Sequence, residues 1–141
     1  MRSLGLVCGW FCLLATGPVQ GEEKAKDLTV TAELVEIPSK FPPDDLYDYA
    51  FVMKYKVLDG ELAGKNILVA HYKPRQARKK IKDEMKKFVA GKLKRFKQGL
   101  KHKLVLAANL EKIWQGAVID DFFATDRKST RYWCLQVDKA K

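Results

Sequence analysis

Apolar residues recur at every second position through five separate stretches of this chain, and that period restricts it to a mainly β fold. In residues 28–34, Leu28, Val30, Ala32 and Leu34 alternate with Thr29, Thr31 and Glu33. The longest run covers residues 47–58, with Phe51, Met53, Tyr55 and Val57 on one face and Ala50, Val52, Lys54 and Lys56 on the other. Residues 66–72 set Ile67, Val69 and His71 against Leu68, Ala70 and Tyr72, and two largely apolar faces predict a strand covered on both sides. Leu100, His102, Leu104 and Leu106 mark a fourth strand over 100–107. Trp133, Leu135 and Val137, opposed to Tyr132, Cys134 and Gln136, mark a closing strand over 131–138. Pro38, Pro42 and Pro43, with Asp44 and Asp45, exclude a regular element from the stretch between the first two strands.

After Pro74 the period changes. Ala77, Ile81, Met85, Phe88 and Val89 share one face at helical spacing, and the opposite face is almost wholly Lys and Arg. Gly91 reads as the helix stop. The expected architecture is therefore mainly β with one amphipathic helix. The element order fits a five-stranded, OB-fold-like barrel with the helix between its third and fourth strands.

Charge is concentrated in one segment. Residues 73–103 carry fourteen Lys and Arg against two acids, Asp83 and Glu84. The whole chain has a formal net charge of +10. Such asymmetry points to a polyanionic partner or surface, while the bland alternative is a solvated face that keeps the domain soluble. The candidate polyanion-binding residues are Arg78, Lys79, Lys82, Lys86, Lys87, Lys92, Lys94, Arg95 and Lys97. No base-reading motif accompanies them, so any nucleic-acid binding would not be sequence-specific.

The N-terminus reads as an export signal. Arg2 precedes an apolar run from residue 4 to 16, and Val19, Gln20 and Gly21 come just before the charged residues Glu22, Glu23 and Lys24. That series is the layout of a secretory signal peptide, residues 1–21, with a mature single domain over 22–141 that is secreted or periplasmic and has no membrane span after processing. Two of the three cysteines, Cys8 and Cys12, fall in the signal segment, so the mature domain keeps Cys134 alone and builds no internal disulfide.

Several residues carry chemistry in other settings. Tyr72 and Tyr132 oppose their strands' expected core faces, which makes them stacking candidates for bases or sugars. His71 and His102 lie in the third and fourth strands, and a metal or acid–base site would need them to meet an acid such as Asp120 or Asp121. Without ligand spacing or a third clear ligand, satisfied core histidines fit the pattern better. Cys134 lies mid-strand, where a buried small residue is expected rather than a nucleophile. No metal and no cofactor are expected. The chain holds no Gly-rich phosphate loop, no G-x-S-x-G and no C-x-x-C pair.

One resemblance follows from the strands. Tyr55-Lys56-Val57, Asp59-Gly60, Ile67-Leu68-Val69 and the run from Gly99 through Leu106 resemble the core strands of secreted netrin-type OB domains, over about residues 28–107. The chain lacks that family's N-terminal and paired cysteines, so the resemblance implies the fold and not the metalloproteinase inhibition of some members. The reading that results is a non-enzymatic exported module that holds an acidic polymer or an acidic protein through its basic face. The alternatives are a structural or inhibitor-like accessory domain without a polymer ligand, and a small metal- or His-dependent hydrolase.

Overall fold

The computed structural model describes residues 27–38, 48–108, 110–113 and 118–141. The expected signal peptide and the Asp44-Asp45 loop lie outside these residues. Among the described residues there are six strands: β1 (Leu28–Glu36), β2 (Tyr49–Val57), β3 (Asn66–Tyr72), β4 (Lys101–Ala107), β5 (Val118–Ile119) and β6 (Thr130–Lys139).

Five of them close into a barrel. β1 pairs antiparallel with both β2 and β4, β2 with β3, and β4 with β6, and the ring is completed by a parallel pairing of β3 with β6. Closure leaves these strands without a free edge along their paired lengths. β1 serves two partners because it bends. Leu34 faces Tyr55 while Glu36 faces Lys54, so β1 holds one extra residue there, and a bulge of this kind turns a strand. The two-residue β5 adds to β2 in parallel at Tyr49 and Ala50, in a stretch where the sequence shows no alternation.

The alternation read from the sequence sorts the side chains as expected. Met53, Tyr55, Val57, Ile67, Val69, Leu104 and Leu106 fill the barrel interior. Val52, Leu68, Ala70 and Tyr72 form an outer layer with Trp133 and Phe123. In β6 a second bulge changes the parity. Leu104 faces Val137 and Leu106 faces Cys134, so the inward set shifts from Cys134 to Val137 while Trp133 and Leu135 stay in the outer layer.

The expected amphipathic helix does not form. Residues 78–80 and 84–88 make two short 3₁₀ turns, and the stretch after them is extended. One four-residue turn, α1 (Leu110–Ile113), is the α-helical content of the described residues. The apolar spacing was a correct guide to burial, because Ile81, Met85 and Val89 do pack on the barrel's outer layer. The backbone finds other partners than its own i−4 carbonyls. The Ala90 amide donates to the Leu135 carbonyl, the Val137 amide to the Ala90 carbonyl and the Leu93 amide to the Val137 carbonyl. Tertiary pairing with β6 thus outweighs a modest helix propensity. Trp133 Nε1 donates to the Phe88 carbonyl at 3.3 Å and pins the same segment. Gly91 is a close-approach residue rather than a helix stop. Its φ is 116°, and a Cβ there would collide with the Val137 backbone.

A candidate anion-binding cleft

The connection between β3 and β4 folds back on itself and sets two basic limbs side by side. One limb is residues 75–80 and the other residues 92–95. The Arg78 amide donates to the Leu93 carbonyl at 3.0 Å and holds them together. On the second limb Leu93 is buried, so its neighbours Lys92 and Lys94 both turn to solvent, and the Lys92 amide is fixed by Asp138 Oδ1 at 2.7 Å. Between the limbs lies a cleft of about 610 Å³ lined by Arg75, Ala77, Lys79, Lys80, Lys92, Lys94 and Arg95. Six of these seven residues are cations and none is an acid.

Two acids of the described residues, Asp83 and Asp48, are engaged elsewhere. Asp83 accepts from the Met85 amide, from the Tyr72 hydroxyl at 2.8 Å and from Lys73 at 3.5 Å. Asp48 accepts from Tyr72 and from Lys73, and the lysine holds its carboxyl below the usual carboxylate range. Lys79, Lys80, Lys92, Lys94 and Arg95 make no ion pair with another described residue. Like charges held this close in water repel modestly, and a bound anion converts that repulsion into attraction with release of counterions.

Of the residues the sequence singled out, Lys79, Lys92, Lys94 and Arg95 meet in this cleft. Lys82, Lys86, Lys87 and Lys97 are exposed but lie outside its lining. Arg75 and Lys80 belong to the lining and were not picked out, since position along a helix was the criterion and the helix is absent.

Arg78 does not contact solvent, contrary to the expectation that it presents charge on the basic face. It is 3% exposed. Its Nη1 donates to the Tyr72 carbonyl at 2.8 Å, and its Nη2 to the carbonyls of Lys73 and Gln76 at 2.7 and 3.0 Å. The planar fork of a guanidinium suits this gathering of carbonyls around one turn. Its flat face lies 5.3 Å from the Phe96 ring centre. Desolvation lowers its pKa to about 10 and leaves it charged at neutral pH. Arg78 therefore builds the turn that carries the first basic limb. A lone Arg opening a Lys-rich run was the one sequence hint to that role.

The stacking candidates are likewise relocated. Tyr72 is buried in the outer layer with its hydroxyl on two carboxylates, so it offers no platform. Tyr132 is half-buried and lines a separate concavity of about 280 Å³ with Val52, Leu68 and Arg131.

His71 and His102 do meet, through Tyr55. The Tyr55 hydroxyl oxygen lies 3.0 Å from His71 Nε2 and 3.1 Å from His102 Nδ1, inside the barrel. Burial lowers both imidazole pKa values, His102 to about 4, and the Arg78 charge adds to the shift at His71. Asp120 is not part of this group, because its carboxylate accepts from the amides of Val52 and Phe122. His71 Nδ1 and His102 Nε2 are buried without a hydrogen-bond partner among the described residues. Among the described residues no three His, Cys, Asp or Glu side chains converge on a metal position. Cys134 is buried, its Sγ donates to the Gln136 carbonyl, and burial pushes its thiol up to about 12, far from a nucleophile's range.

No protein-family model, no curated protein and no solved structure matches the chain. The case for function rests on the cleft.

Proposed function

We propose that this chain is an exported, non-enzymatic binding module of the OB-fold-like type, and that it holds an anionic polymer in the cleft between its two basic limbs. The strand order, with β1 between β2 and β4 and β3 parallel to the last barrel strand, supports the OB-like class and the netrin-type resemblance. The observation that carries the functional reading is that, among the described residues, the cleft is lined by six cations and no acid. Solubility alone asks for interspersed signs on a surface, not for one sign folded inward on a concavity. Phosphate, sulfate and carboxylate polymers fit that field. The experiment is a titration of the protein with heparin and with polyphosphate across a salt series. Affinity falls steeply with salt if the cleft binds. An absence of binding at low salt moves the weight to an accessory domain without a polymer ligand.

A further inference from the structure

Beside the basic cleft a second concavity of about 250 Å³ opens, lined by Ile37, Met53, Pro74, Arg75, Arg95 and Phe96. Arg75 and Arg95 line both spaces, so the two adjoin at these residues. The other described residues lining the second concavity, Ile37, Met53, Pro74 and Phe96, are apolar. Met53 belongs to the barrel's interior cluster, and Phe96 and Ile37, the latter just past the end of β1, pack against it. A hydrophilic polyanion makes no use of such a pocket. Phe96 is not a stacking platform, since its ring is already engaged by His71, with centres 4.4 Å apart, and by the Arg78 guanidinium. The other walls are aliphatic and match an alkyl chain better than a flat base or sugar.

We infer that, besides a polymer, the cleft takes up an anionic amphiphile as a monomer, with its phosphate or sulfate head among the lysines and its alkyl chain in the pocket beside Arg75 and Arg95. This deepens, and rests on, the reading of the cleft as an anion site. The pocket is equivalent to about eight waters at roughly 30 Å³ each, which is room for several methylenes. The arrangement places the charge of Arg95, which lines both spaces, at the junction of head and chain, where an amphiphile changes from wet to dry. Each methylene buried there raises affinity about fourfold.

The test is calorimetric titration of the full chain with inorganic phosphate and with butyl, hexyl and octyl phosphate. All are kept below their aggregation limits at fixed ionic strength, with octanol as the uncharged control. The expected result is affinity that climbs with chain length from butyl to octyl phosphate, and no binding of octanol. Ile37→Trp, which fills the pocket, removes the chain-length dependence but leaves heparin binding intact. Ile37→Ser, with a thermal melt to confirm folding, weakens octyl phosphate selectively. Affinity that is flat with chain length while heparin still binds would overturn the amphiphile and leave the cleft reading standing. Loss of both kinds of binding would overturn the cleft itself. Binding to anionic vesicles without binding to octyl phosphate would contradict uptake as a monomer.

Discussion

The Tyr55 hydroxyl lies 3.0 Å from His71 Nε2 inside a closed barrel, and the same oxygen meets His102 Nδ1 at 3.1 Å. One phenolic proton serves two nitrogens, so one histidine accepts it while the other donates its own N–H to the oxygen. The accepting imidazole must then be neutral, and burial, with the Arg78 charge at His71, disfavours an extra proton on either ring. In the unfolded chain a histidine binds its proton near pH 6.5, whereas His102 in the barrel does so only near 4.

The sign of the pH dependence follows. Between pH 6.5 and about 4 the unfolded chain binds more protons than the barrel, so stability rises with pH across that window. On acidification each histidine removes roughly 1.4 kcal/mol per pH unit once the pH is well below 6.5. Urea midpoints measured from pH 7 to 4 should fall accordingly. In His102→Gln the slope should be shallower, and an unchanged slope would remove the histidines from the account.

Arg78→Lys should destabilise the domain by about 2 kcal/mol, because an ammonium cannot reproduce a fork that serves the carbonyls of Tyr72, Lys73 and Gln76 together. Heparin affinity should drop more than loss of one exposed charge explains, since the first basic limb loses its anchor. Preserved charge with lost binding would separate positioning from simple attraction. Urea titration and binding on the same samples read both effects.

Gly91→Ala should cost about 3 kcal/mol, as the new Cβ meets the Val137 backbone in a rigid pairing. Gly60→Ala is the comparison. Its φ is also positive, at 71°, but nothing lies near the added methyl, so roughly 1 kcal/mol of backbone strain is expected. Equal losses would mean that backbone strain alone, not close approach, explains Gly91.

The strands were legible in the sequence because burial on a barrel wall enforces period two. Val30, Ala32 and Leu34, and again Met53, Tyr55 and Val57, are placed as their alternation predicts. The connection between β3 and β4 was legible in burial but not in conformation. Ile81, Met85 and Val89 point inward at a spacing of four residues whether the backbone is helical or held by β6, and nothing local reports the Ala90 and Leu93 bonds to Leu135 and Val137. The cleft inherits that ambiguity. A helix would have spread its lysines along one face, whereas the folded-back connection gathers Arg75, Lys79 and Lys80 opposite Lys92, Lys94 and Arg95. The Tyr55 bridge between the histidines was hidden because it depends on barrel closure, which brings β2, β3 and β4 around one interior.

The most direct measurement compares two quadruple variants of equal charge. Lys79, Lys80, Lys92 and Lys94 line the cleft, while Lys82, Lys86, Lys87 and Lys97 are exposed outside it. Each set is changed to Gln, and heparin affinity is measured against salt. The account predicts that the cleft variant loses most of its affinity and that its log K against log salt slope becomes shallower by about 3, while the outer variant changes by less than about 1. Equal losses from the two sets would contradict it, because net charge, and not the cleft, would then govern binding.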